Sequence, residues 1–332
     1  MSRYIMVEDG GDFIKNMFND LEQDSRVEVF KQYFNTTPEK NRKYSNLSSS
    51  NGIVSRSRRK IYNYFYSFLK NIVIKDELTF FILPNPSALG IDAHYLERFL
   101  KKNRNVVPVM IFIDPIGKPM SNRAKDLVDK VSNFICITFD KDDAERYGWE
   151  HFACMYSVVA EPNNYVLNND IYFIGYKNDK LDMLHKIGCY IKTADCNASI
   201  NILGVDKREQ KNIKGVNYST QYKPYKEVLE DVQKTNCILE IRQKGQSGPT
   251  LRYYEAIVYN KKLLTNNKDI VNMPFYDARY MKYFEKIEDI DTEWVKKQEN
   301  IDYGYDGRYS PVYILDIIEN AYKKRQGLIT CQ

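Results

Sequence analysis

The chain has 332 residues, of which 43% are hydrophobic and 28% charged. That is long enough for two domains and too apolar for a disordered polymer. The net charge of +5 suits anionic small molecules or a membrane surface, and is too dilute to nominate nucleic acid as a partner. Six cysteines (Cys136, Cys154, Cys189, Cys196, Cys237, Cys331) form no CxxC pair, so they read as the reduced thiols of a cytoplasmic protein. No signal peptide is recognised, and no apolar run approaches the length that spans a bilayer.

Tyr4 to Val7 predicts a strand, followed by the turn Glu8-Asp9-Gly10-Gly11 and an amphipathic helix over DFIKNMFNDL. This is a Rossmann-like opening, but no GxGxxG occurs anywhere, which counts against a dinucleotide-binding dehydrogenase. VEVF (27–30) predicts a second strand, and residues 35–57 a polar loop. SRRKIYNYFYSFLKNIV (57–73) predicts a helix behind a basic flank of Arg56, Arg58, Arg59 and Lys60. Two roles fit it: a core helix with a solvated start, or an interfacial patch for the inner leaflet of a membrane.

Strands and helices then alternate. Strands are predicted at 78–83, 107–114, 133–140 and 152–159, and helices at 93–102, 123–131 and from Asp140 to Tyr147. The pattern implies a parallel sheet with right-handed crossovers. Ligands of such sheets bind beyond the carboxyl ends of the strands, where Asp9, Asp114 and Asp140 stand. Each suits a helix cap or loop bond. As a group they are the candidates for a general base.

Glu161-Pro162-Asn163-Asn164 breaks the pattern and marks a linker, giving domains 1–162 and 163–310. The second opens with a strand at 170–179, whose end carries Gly175 and Lys177. A helix at 180–192, a strand at 198–205 and a helix at 222–233 follow. A small strand and a short helix precede a strongly amphipathic helix over 309–324.

The most informative stretch is CILEIRQKGQSGPTLRYYEAIVYNKKLLTNN (237–267). It reads as a strand, a loop with two glycines, a helix from Leu251 to Tyr259 with Thr250 as N-cap, and a strand at 262–265. Glycines allow a ligand close to the backbone, and amides at a helix start attract anions. Arg252 adds a charge suited to phosphate, and Glu255 a carboxylate suited to sugar hydroxyls. An ordinary strand-to-helix turn with a solvated Arg and Glu has the same spacing.

The segment resembles the donor-site region of GT-B glycosyltransferases, especially bacterial ones that build capsule or lipopolysaccharide glycans. The resemblance rests on GQSGPT, Glu255-Ala256 and KKLLT, with FDKDDAERYG (139–148) as a further similar feature. It implies an α/β protein of two Rossmann-like domains with parallel sheets facing across a cleft. The first domain would bind the acceptor glycan and the second a nucleotide sugar, expected to be UDP-linked; the helix of residues 311–332 would cross back. Gly175, Lys177, Lys244, Gly245, Gln246, Ser247, Gly248, Thr250 and Arg252 would line the donor diphosphate, and Glu255 the ribose. Where many retaining members carry a second glutamate, eight residues before the first, this chain has Ser247. Neither the sugar contact nor a retaining mechanism therefore carries over, and Glu240 sits much further back.

No His or Cys cluster has metal-ligand spacing. Asp140-Lys141-Asp142 and Asp289-Ile290-Asp291 match the DxD pattern of metal-dependent transferases, but read as a helix cap and a solvated turn. The expectation is an enzyme with no metal and no cofactor, cytoplasmic or peripheral at the inner membrane face. His94 and His185 read as helical and structural; His151 is the one histidine kept as a catalytic candidate. Two rival readings stand beside transfer: a UDP-sugar epimerase of the same fold, and a non-catalytic nucleotide-sugar-binding partner of a glycan assembly complex.

Overall fold

In the computed structural model, which describes residues 2–8, 12–31, 72, 74–87, 91–153, 155–160, 165–242 and 249–328, the apolar runs of the first half become parallel strands. They are β1 (Arg3–Glu8), β2 (Val27–Lys31), β3 (Thr79–Pro84), β4 (Val106–Phe112), β5 (Ile135–Thr138) and the two-residue β6 (Glu150–His151). The strand order is β2-β1-β3-β4-β5-β6, and every pairing is parallel. Interleaved are α1 (Asp12–Met17), α2 (Asn19–Gln23), α3 (Ala93–Lys102), α4 (Pro119–Lys130) and α5 (Lys141–Tyr147).

A parallel sheet needs cover on both faces, and alternation along each strand divides the side chains between them. Ile5, Val7, Phe81, Leu83, Met110, Phe112 and Cys136 pack with Leu96 of α3 and with Ala124 and Leu127 of α4. Tyr4, Met6, Phe80, Ile82, Val109, Ile111, Ile135 and Ile137 face the other way, onto Ile14, Phe18 and Leu21.

The second half forms another sheet of six parallel strands: β7 (Asn169–Tyr176), β8 (Ala198–Leu203), β9 (Val216–Ser219), β10 (Thr235–Glu240), β11 (Lys262–Thr265) and β12 (Met281–Tyr283). The order is β12-β11-β10-β7-β8-β9. Its helices are α6 (Leu181–Thr193), α7 (Tyr225–Gln233), α8 (Leu251–Val258) and α9 (Thr292–Lys296). Leu184, Ile187 and Ile191 of α6 and Trp294 and Val295 of α9 share a core with Ile171, Phe173, Cys237, Leu239 and Leu264. The last helix, α10 (Ile314–Arg325), lays Ile314, Leu315, Ile318 and Ala321 on the first sheet. There Tyr4 donates to Glu319 over 2.8 Å, and Arg325 donates to the carbonyl of Phe134 over 2.6 Å.

The chain thus divides into two units, Met1–Ser157 with Tyr309–Gln332, and Val158–Arg308. The expected α/β class with two Rossmann-like parallel sheets is the class observed.

Two local expectations fail and one strand goes unmarked, each for a visible reason. The helix over DFIKNMFNDL is two short helices, because Phe18 leaves helical geometry (φ −100, ψ 11) while its ring is wholly buried. The strand at 152–159 does not form. Its partner β5 ends at Thr138, so Phe152 makes the last bond to it, N–H to the Thr138 carbonyl at 3.0 Å. The chain then bonds elsewhere: Tyr156 N–H to Tyr309 O at 2.7 Å, and Ser157 Oγ to Met17 O at 2.8 Å. The unmarked strand is β9, a polar edge strand (VNYS) with too few apolar residues to announce itself. Of the predicted helix at 57–73 and its basic flank, only Ile72 lies within the described residues.

His185 is buried in α6, and its Nε2 meets the Tyr218 hydroxyl at 2.8 Å. That hydroxyl donates to the Lys211 carbonyl and accepts from the Lys211 N–H, each at 3.0 Å. Nε2 therefore carries the hydrogen, and the buried Nδ1 has no partner. A second proton on Nδ1 would be stranded away from water, so burial, followed by the Lys211 charge, lowers the His185 pKa. A histidine with a lowered folded pKa gives stability that is complete above its ordinary value and lost as pH falls below it. The melting temperature should fall between pH 7.5 and pH 5.5 by more in the wild type than in His185→Gln, which keeps a donor and does not titrate. Equal falls in both proteins would contradict this.

Candidate functional site

The second sheet reverses its strand order between β7 and β10. The chain runs outward through β8 and β9, returns beside β7, and continues through β11 and β12. Loops leaving two neighbouring strands in opposite directions open a crevice at their carboxyl ends, the usual ligand position in open parallel sheets. The end of β7 and the segment after it hold Gly175 to Lys180, and the segment after β10 leads to α8. The structure therefore puts the two stretches singled out in the sequence at the same end of adjacent strands.

The exit of β10 is built around a carboxylate. Glu240, the last strand residue, is wholly buried. One of its oxygens accepts from the Thr250 N–H and the other from Thr265 Oγ1, each at 2.6 Å. Thr250 caps α8 by accepting from the Arg252 N–H at 3.2 Å. Two residues after Glu240, the Arg242 N–H donates to Asn266 Oδ1 at 2.8 Å. The segment from 243 to 248 thus leaves and rejoins the described chain at points fixed to strand ends. Lys244, Gly245, Gln246, Ser247 and Gly248 themselves lie outside the described residues.

Arg252 and Glu255, one turn apart on α8, form an ion pair of 2.5 Å. Glu255 is wholly buried, and its other oxygen accepts from the Tyr225 hydroxyl of α7 at 3.0 Å. Burial raises the pKa of Glu255, with Arg252 and then Tyr225 opposing. Its carboxylate thus stands behind Arg252 and braces it; a ribose contact of the kind the resemblance implies would draw it away from Tyr225 or Arg252. Burial likewise raises the pKa of Glu240, against the Thr265 and Thr250 bonds and the Arg242 charge.

Lys177 and Lys180 differ sharply. Lys177 pairs with Glu209 at 2.5 Å and Asp206 at 3.6 Å. Lys180, half-buried just ahead of α6, has no ion-pair partner among the described residues. Burial lowers its pKa, and the charges that reach it are those of Asp179, Glu240 and Arg252. Lys180 is therefore a partly desolvated cation whose own ammonium has no ion pair among the described residues, with carboxylates and a guanidinium both acting on it. Gly175 has a packing reason: a Cβ there would stand 3.1 Å from the Phe173 ring.

Spacing in the sequence gave no hint of Lys180, Glu240 or Tyr225 in these roles. Lys180 looks like Lys177 on paper, and only burial and the neighbouring strand separate them. Glu240 lies far from Glu255 in sequence, and the turn into α8 brings its carboxylate to Thr250.

In the first unit Asp9 lies outside the described residues. Asp114 follows β4, half-buried, and burial raises its pKa against the pull of Lys118. Among the described residues no hydrogen bond reaches its carboxylate, while its carbonyl accepts from Ser121 Oγ at 2.7 Å. Asp140 caps α5, accepting from the Asp143 N–H at 2.9 Å. Asp291 caps α9, and Asp289 accepts from the Lys286 N–H at 2.8 Å. Both DxD triplets therefore have capping or turn roles. Among the described residues no cluster has the makings of a metal site, and no helix is long and apolar enough to cross a membrane. His151 Nε2 lies 3.1 Å from the Phe139 carbonyl.

No family model matches the chain, and no curated protein does. Solved structures of similar arrangement exist. One is a glycotransferase of kitacinnamycin, 9% identical with a TM-score of 0.45, covering 96% of this chain and 98% of that one. Another is an alpha-glucosyltransferase in complex with UDP and a 13-mer DNA containing a HMU base, 11% identical with a TM-score of 0.47, covering 79% of each chain. At such identity the likeness is one of fold.

The Arg252–Glu255 pair makes a stability prediction. Arg252→Ala strands a buried carboxylate and should cost roughly 3 kcal/mol in urea unfolding. Adding Glu255→Gln removes the stranded charge and should recover at least half of that loss. A double variant as unstable as the sum of the two single variants would show that the pair is not coupled.

Proposed function

We propose that the protein is a GT-B glycosyltransferase that moves a sugar from a nucleotide-sugar donor, expected to be UDP-linked, to a hydroxyl of a cell-surface glycan of the capsule or lipopolysaccharide type. The observation that carries the proposal is that Lys180 and Arg252 follow the carboxyl ends of β7 and β10, the neighbouring strands at which the strand order reverses, Arg252 lying on the segment whose sequence resembles donor sites of that family.

In this reading the acceptor oxygen attacks the anomeric carbon while the bond from that carbon to the diphosphate breaks. The acceptor's proton passes to a carboxylate, for which Asp114 is the preferred candidate: it is half-buried, burial raises its pKa, and among the described residues no hydrogen bond reaches its carboxylate. Asp9 and Asp140 are the others. The departing diphosphate gathers charge, which Arg252 and Lys180 offset, Arg252 being held in place by Glu255. The donor-binding set keeps Gly175, Lys177, Lys244 to Gly248, Thr250 and Glu255, with Lys180 added. The inner membrane face is the proposed place of work, set by a lipid-linked acceptor.

Thermal shift against UDP, GDP, ADP and CMP tests the donor site, since a ligand that binds only the folded state raises the melting temperature. One nucleotide should stabilise the wild type. Lys180→Ala should lose most of that shift, and Lys177→Ala, whose cation is already neutralised by two carboxylates, should keep most of it. No shift with any nucleotide at millimolar concentration would overturn the transferase reading and leave the partner reading in its place. Release of nucleoside diphosphate from a bound donor without any acceptor would favour epimerase-like or hydrolytic chemistry.

A further inference from the structure

Glu240 is a charged side chain with no exposed surface, at the end of the strand that borders the proposed donor site. Burying a carboxylate is expensive, and neutral residues would hold two strand ends together at less cost. Its two hydrogen bonds are specific. One reaches the N–H of Thr250, the residue from which α8 starts, and the other reaches Thr265 Oγ1, on the last residue of β11. A third bond extends the link, with the Asn267 N–H donating to the same Thr265 Oγ1 at 3.0 Å.

The positive charges that act with Glu240 come from the elements around it: Arg242, two residues beyond its own strand, and Lys180, just ahead of α6. Arg252 of α8 reaches Lys180 in turn. Removing the carboxylate would take a buried negative charge away from Lys180 and Arg242 and would free the start of α8.

We infer that Glu240 is the positioning residue of the donor site: its carboxylate fixes the start of α8 to the end of β11, and so sets where Arg252 stands relative to Lys180. The inference rests on the proposed donor site and adds to it a residue that touches no donor atom. Glu240 acts through Thr250 and through the helix that Thr250 caps.

The test compares Glu240→Gln with Lys262→Met. Lys262 is equally buried, but it starts β11 at the opposite end of the same sheet, where it donates to the Trp294 carbonyl at 2.8 Å and pairs with Glu299. Calorimetric titration uses whichever of UDP, GDP or ADP binds the wild type most tightly. Losing a hydrogen bond to a charged group is worth roughly tenfold in affinity. Glu240→Gln should therefore bind about tenfold more weakly, while Lys262→Met keeps wild-type affinity at a comparable loss of melting temperature. Thr265→Val removes one donor at nearly constant volume. It should weaken binding severalfold, and it serves if Glu240→Gln does not fold.

Wild-type affinity in the folded Glu240→Gln or Thr265→Val variants would overturn the positioning role and leave the donor site standing. Equal weakening in Lys262→Met would also overturn it, by showing a purely structural effect. No binding by the wild type would overturn the donor site itself, and the positioning role with it.

Discussion

The second unit depends on one topological constraint. In a sheet whose strands all run one way, a chain that builds outward and then returns must leave two neighbouring strands by diverging paths. Here those strands are β7 and β10, and the residues at and beyond their ends are the ones proposed to bind the donor. Lys180 follows β7; Glu240 ends β10, and Arg242 and the start of α8 follow it. Nothing in these residues alone would gather them, because they are spread over seventy-odd positions of sequence. The order of strands does so.

Electrostatics then makes the gathering costly and therefore informative. Two glutamates are wholly buried within one strand-to-helix unit, and both have raised pKa values because burial outweighs their partners. Each is tied to a feature of α8: Glu240 to its capping residue, Glu255 to its arginine. Lys180 has the opposite problem, a cation made less stable by burial and by Arg252. An anion arriving beside Lys180 and Arg252 would relieve that repulsion, whereas the glutamates hold the geometry in its absence. The first unit has a milder version at Asp114, a half-buried carboxylate beyond a strand end with its pKa raised.

Much of this architecture was legible in the sequence, because short apolar runs bounded by polar turns leave few alternatives. LTFFIL, VPVMIFID and CILEI could hardly be anything but buried strands, and AHYLERFLKK is a helix at the predicted residues. Misreadings occurred where tertiary bonds decide the outcome. Residues 152–159 have strand composition, but β5 is too short to pair with them. VNYS lacks strand composition and pairs with β8 all the same. The site divided along the same line. Thr250, Arg252 and Glu255 were visible from local spacing, whereas Lys180 and Glu240 draw their meaning from burial and from neighbours on other strands.

Hydrogen exchange with and without the best-binding nucleoside diphosphate would test the central claim most directly, since it reports ligand protection segment by segment. The donor site as described predicts slowed exchange at 177–184 and 241–256, flanking the reversal, with the amino ends of the same strands unchanged. Protection confined to the loops after β3 and β4 of the first unit would contradict it.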